Sequence, residues 1–154
     1  MKLPFLCSLC IVIASALGSI SYAHDYNVGA LTVDNPWGRP NLPERPTAAY
    51  LEIRNAGESP DLLIIARSPG FVSVFLLSST EDGGVMKMAQ LDAIVAPAGG
   101  SVDLEPGGHH IMLFGAPELY KEGDKYNLIL VFENAGELEV EVHVERGSGG
   151  AHNH

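Results

Sequence analysis

Apolar or alternating runs recur along the chain at residues 48–53, 62–66, 72–77, 85–88, 93–96, 101–104, 110–114, 126–132 and 138–144. Between them stand turn formers: Asn55-Ala56-Gly57, Ser68-Pro69-Gly70, Asp82-Gly83-Gly84, Pro97-Ala98-Gly99-Gly100, Glu105-Pro106-Gly107-Gly108, Glu122-Gly123-Asp124 and Asn134-Ala135-Gly136. Short runs of this kind, cut at close intervals by glycine and proline, predict an all-β domain, a single antiparallel β-sandwich or barrel. No window carries an apolar stripe at the helical period with caps to match. There is no internal repeat and no second domain. Residues 34–46 hold Pro36, Pro40, Pro43 and Pro46 and read as an extended loop, because proline cannot donate to a sheet ladder.

The first 23 residues stand apart from this pattern. Met1-Lys2 is a short positive start, residues 3–17 are largely apolar, and Ser21-Tyr22-Ala23 offers small side chains where a signal peptidase reads. Residues 1–23 are therefore expected to be a signal peptide cut after Ala23, residues 24–146 the folded domain, and residues 147–154 a flexible Gly/His tail. No stretch reaches the length of a membrane span. Both cysteines, Cys7 and Cys10, fall in the leader, so the processed chain carries no thiol for a disulfide or a thiolate metal site. Losing Lys2 takes the formal charge from −10 to −11. Such a surface repels phosphate backbones and argues against a nucleic-acid partner.

Composition narrows the chemistry further. After Met1 only three methionines remain, Met86, Met88 and Met112, and the last lies two residues from His110. On a strand, residues i and i+2 share a face, so His110 pairs with Met112 and Met86 with Met88. If the two strands are neighbours, one imidazole and two or three thioethers converge. Neutral soft donors of this kind suit Cu(I) rather than Mg²⁺, Ca²⁺ or Mn²⁺. An ordinary structural role accounts for the same residues: methionine fills cores, and a histidine opening a strand after Pro-Gly-Gly is a common rim residue.

Several stretches resemble one family. They are Asn35-Pro36-Trp37-Gly38-Arg39, Ala48-Ala49-Tyr50-Leu51-Glu52-Ile53-Arg54-Asn55, Gly84-Val85-Met86-Lys87-Met88, Pro97-Ala98-Gly99-Gly100 and Glu105-Pro106-Gly107-Gly108-His109-His110-Ile111-Met112-Leu113. Together they are similar to the periplasmic copper chaperones of the PCu(A)C family. The resemblance implies a cupredoxin-like fold, a periplasmic location, and delivery of Cu(I) to a recipient such as the copper centre of cytochrome c oxidase. The family's site follows His-x10-Met-x21-His-x-Met, and Met88, His110 and Met112 match its last three positions. The first falls on Leu77, with no histidine anywhere from residue 71 to 85. Three readings are open: a three-donor Cu(I) site, a site completed by Met86, His109 or a tail histidine, or a relative that has lost the metal.

Other histidines offer secondary chemistry. His24 becomes the amino terminus if cleavage follows Ala23, and can then chelate Cu(II) through its amine and ring. His152 and His154 on the tail form a short His-rich tract of the metal-binding kind. His143 alternates onto a polar strand face. No Gly-x-Ser-x-Gly, His-Glu-x-x-His or phosphate-cradling motif is present, so an enzymatic role is not expected. The sequence thus predicts an exported copper carrier, with two rivals: a metal-free interaction module, and a Cu(II) binder using His24 and the tail.

Overall fold

The computed structural model describes residues 25–146, and these fold entirely as strands and turns. In chain order the strands are β1 (Tyr26–Val28), β2 (Leu31–Gly38), β3 (Thr47–Asn55), β4 (Asp61–Arg67), β5 (Ser73–Asp82) and β6 (Val85–Gln90). Then come β7 (Ile94–Ala96), β8 (Gly100–Leu104), β9 (His109–Phe114), β10 (Lys125–Phe132) and β11 (Gly136–Val144). Each of the nine runs read from the sequence overlaps one of β3 to β11. The spatial order is β6-β5-β9-β8-β3-β2-β11-β10-β4-β7, with β1 on β2 and a further pairing of β9 with β3. The sheet does not close; it folds over so that β4 packs on β5, and β7 on β8 and β3. Most pairings are antiparallel, as the hairpin-like spacing predicts. Two short ones are parallel, β11 with β2 and β8 with β9, which makes the sheet mixed.

The alternation along each strand sets what is buried. On β9, Ile111 and Leu113 are fully covered, and on β10 Leu128 and Leu130. They meet Val33, Ile53, Leu63, Val140 and Val142 in one core between the two halves of the folded sheet. Each such side chain contributes about 1.5–3 kcal/mol when removed from water, which lets a thiol-free domain of this size stand on its core.

β2 departs from the sequence reading. Residues 34–38 belong to a strand rather than to the loop expected across 34–46, and the strand passes through Pro36. The pairing with β3 slips between Asp34 and Trp37, and Asn35 there has a left-handed backbone, φ 46°. This is a bulge, where a missing N–H costs no ladder bond, and it accommodates Pro36. The extra residue also switches the face onto which the rest of the strand projects. Val33 pairs with Ile53 in the core, yet Trp37 pairs with Tyr50 on the opposite, outer face. There Trp37, Ala48 and Tyr50 form a second small apolar cluster, with Met112 packed against it.

Candidate metal centre

Residues directly opposite in a sheet share a face, so the register traces which side chains lie together. On β6, Met88 faces Ser79, Met86 faces Glu81 and Gln90 faces Leu77. On β5, Leu77 in turn faces His110 and Phe75 faces Met112. Met112 lies across from Ala48 on β3. All three core candidates, Met88, His110 and Met112, therefore project from one face, the outer one, and Met86 projects with them. Leu77 stands in the middle, half-buried, between the β6 methionines and His110. β6 and β9 are two inter-strand steps apart, about 10 Å, so the methionine side chains of β6 must reach over β5 to meet the imidazole.

Burial is graded across this face. Met88 and Met86 are 61% and 54% exposed, Met112 is half-buried, and His110 is only 4% exposed. The hairpin of β5 and β6 explains the outer end. β9 pairs with β5 only as far as Ser78, with one more bond from the Ser79 N–H to the Gly108 carbonyl, and the remainder of the arm projects beyond the body. At the inner end His110 lies beside Tyr50, with ring centroids 6.4 Å apart, and Tyr50 packs on Trp37 at 4.5 Å. Burial raises the pKa of the Tyr50 phenol, opposed by the nearby Arg39, whose guanidinium lies 5.9 Å over the ring. The phenol stays neutral, so Tyr50 adds no negative charge beside the imidazole.

One contact sets the chemistry of His110. Its Nδ1 lies 3.1 Å from the Gly108 carbonyl oxygen. A carbonyl only accepts, so the neutral ring carries its proton on Nδ1 and its lone pair on Nε2. A backbone partner of this type fixes the tautomer and ring orientation that metal-ligating histidines need. The Gly108 carbonyl also accepts the Ser79 N–H, which ties the turn to the same strand that carries Leu77. Sequence reasoning did not single out Gly108, Tyr50 or Ser79. The Pro106-Gly107-Gly108 turn just before a histidine was the available signal.

The remaining candidates separate. His109 alternates to the opposite face of β9 from His110, and its Nδ1 is buried without a hydrogen-bond partner among the described residues. The strand geometry therefore keeps it from joining Met88, His110 and Met112. His24, His152 and His154, the leader with its cut after Ala23, and the tail at 147–154 all lie outside the described residues. Among the described residues no group of three or more His, Cys, Asp or Glu is placed to hold a metal ion, so any centre here depends on sulfur. Among them, too, no helix is long and apolar enough to cross a membrane.

The chain has recognisable relatives among known proteins. The LpqE-like family model matches residues 31–144. A protein of Leifsonia xyli subsp. xyli (strain CTCB07), named "Putative lipoprotein Lxx21020", is 30% identical over 109 residues, covering 70% of this chain and 66% of its own. The chain thus spans just under two thirds of that relative's length. Among solved structures, the apo PCuAC domain from PmoF1 superposes with a TM-score of 0.68 at 28% identity, over 79% of this chain and 98% of that one. The copper-bound PCuAC domain from PmoF2 gives 0.67 at 31% identity, over 79% and 97%. The solution structure of CuI-DR1885 from Deinococcus radiodurans gives 0.62 at 27%, over 84% and 86%.

Proposed function

The chain belongs to the LpqE-like family, the family of the PCuAC domains, and from that premise we propose that it is an exported Cu(I) carrier. Met88, His110 and Met112 hold the ion, and the protein surrenders it to a copper-receiving partner. The observation that carries the reading is the strand register, which sets two thioethers and one oriented imidazole on a single face. The copper carried by the PmoF2 domain and by CuI-DR1885 supports the same cargo. Thioether and neutral imidazole favour Cu(I) over harder ions.

The graded burial supports transfer by ligand exchange. Met88 is the most exposed donor and the natural point of entry for a recipient's ligand, while His110, tied to Gly108, is released last. Each step replaces one weak neutral donor, so the ion is never free. A periplasmic recipient, with the copper centre of cytochrome c oxidase as the example the family suggests, completes the proposal, and no residue is assigned a catalytic role. A metal-free interaction module is the second reading, and one observation favours it: Leu77 occupies the position directly opposite His110.

Anaerobic titration of the protein with Cu(I) against a competing chelator separates the two. One tight equivalent, lost in His110→Ala and Met112→Ala, is the expected result. Absence of Cu(I) binding favours the metal-free module. Binding unaffected by either change would point to His24 and the tail histidines instead.

A further inference from the structure

Arg39 is an exposed cation in a chain of net charge −10, yet among the described residues no carboxylate pairs with it. Its guanidinium rests instead over the Tyr50 ring, 5.9 Å from the centroid, where the ring quadrupole attracts a cation. The backbone beneath it is pinned on both sides. The Arg39 N–H donates to the Ala48 carbonyl at 3.1 Å, and the Arg39 carbonyl accepts the Thr47 hydroxyl at 2.7 Å. The side chain therefore starts from a fixed point just past the end of β2.

That point borders the copper face by two routes. Through the rings, the guanidinium lies 5.9 Å from Tyr50 and Tyr50 lies 6.4 Å from His110, which keeps the charge within about 12 Å of the imidazole. Through the sheet, Ala48 lies opposite Met112, so Arg39 is two inter-strand steps, about 10 Å, from Met112. The neighbours of His110 and Met112 along these rows are uncharged: Leu77 and Phe75 on β5, Ala48 and Tyr50 on β3, and Trp37 on β2. Carboxylates begin one row further on, with Glu52 opposite Asp34, and Asp34 is bonded to Arg54 at 2.6 Å. Glu105 stands in the turn that leads into β9. A fixed cation repels a nearby ion in proportion to that ion's charge, so it disfavours Cu(II) twice as much as Cu(I).

We propose that Arg39 is a specificity-determining residue of this face: its guanidinium, seated on Tyr50, selects Cu(I) over Cu(II) at His110 and Met112 without touching the ion. This rests on the carrier reading above. Soft donors already prefer Cu(I), and the guanidinium adds a preference that does not depend on ligand type. Glu52, Asp34 and Glu105 act in the opposite sense, but they are common to every variant compared, so the Arg39 contribution is read as a difference.

Two affinities of the full chain test this, Cu(I) against a competing chelator without oxygen and Cu(II) against a second chelator in air. His24→Ala, His152→Ala and His154→Ala are carried throughout, so that Cu(II) does not settle on those histidines. For a cation about 12 Å away and an effective dielectric of about 40, each unit of copper charge changes affinity about threefold. Arg39→Gln should then raise Cu(I) affinity about threefold and Cu(II) affinity about tenfold. The ratio moves about threefold, which lowers the reduction potential of the bound copper by about 30 mV at about 59 mV per tenfold change. Arg39→Lys keeps the charge and should hold the wild-type ratio. Arg45→Gln removes a cation that lines the cavity of Leu42 and Leu119 instead, and should also leave the ratio unchanged. Tight Cu(I) binding with an unchanged ratio in Arg39→Gln overturns the role of Arg39 and leaves the carrier reading standing. A shift of the same size in Arg39→Lys or in Arg45→Gln overturns it too, since packing or net charge is then the cause. Failure of the chain with Arg39 intact to bind Cu(I) overturns the carrier reading itself, and this selection with it.

Discussion

Asp61 and His110 are both polar side chains buried at the start of a strand, and they are finished in opposite ways. Asp61 opens β4 with both oxygens occupied. Oδ1 accepts the Leu62 N–H at 2.8 Å, the Asn134 N–H at 3.0 Å and the Asn134 side-chain amide at 3.3 Å, and Oδ2 accepts the Ala135 N–H at 2.9 Å. These bonds clip β4 to the turn between β10 and β11. His110, the second residue of β9, makes one bond, from Nδ1 to the Gly108 carbonyl, and its Nε2 has no hydrogen bond among the described residues. A saturated buried group holds a fold together, while one left with a spare lone pair is available for chemistry.

Breaking the saturated site should have the largest effect. Asp61→Ala strands three backbone N–H groups and an amide, and should cost about 3 kcal/mol of stability by denaturant unfolding. Cu(I) affinity measured below the transition should not change. The carboxylate also gives the fold an acid limit. Burial pushes the Asp61 pKa up, but the N–H groups of Asn134, Leu62 and Ala135 and the Asn134 amide together outweigh it, and the folded pKa is lowered. The stabilisation is therefore complete above the unfolded value near 4 and disappears as pH falls through the folded one. Asp61→Asn should flatten the stability profile in that acid range. A variant that kept the wild-type slope would assign the acid limit to other carboxylates.

At the open site the effects reverse. Met88 is exposed, so Met88→Ala should leave stability within about 0.5 kcal/mol of wild type. Its Cu(I) affinity should fall about 100-fold, the upper end of what even supporting residues around a metal cost. A stability loss with unchanged affinity would turn the comparison around and make Met88 a packing residue of the hairpin.

The difference between these two sites also explains how far the sequence could be read. Strands β3 to β11 were legible because alternation and glycine-rich turns are local signals. β2 was not, because the bulge at Asn35 changes the face of Trp37 and hides the strand behind Pro36. That Met88, His110 and Met112 share a face was legible from alternation and strand neighbourhood, and alternation alone already separates His109 from His110. Asp61 was invisible: the four groups that make it structural include Asn134 and Ala135, more than seventy residues away in the chain. The Gly108 carbonyl escaped notice for a related reason, since main-chain acceptors carry no letter in a sequence.

Leu77→His tests the comparison most finely, because it adds a donor to the open site without disturbing the closed one. Leu77 lies directly across from His110 and diagonally from Met88, on the same outer face, and is only half-buried. The inner face of β5 at this point belongs to Leu76, which stays in the core, so an imidazole at position 77 removes little buried apolar area. Stability should fall by no more than about 1 kcal/mol. Cu(I) affinity should rise about tenfold, close to 1.4 kcal/mol, with the chelator competition read on wild type and variant side by side. An unchanged affinity would mean that Met88 and His110 do not converge over position 77, and the three-donor geometry proposed for this face would have to be abandoned.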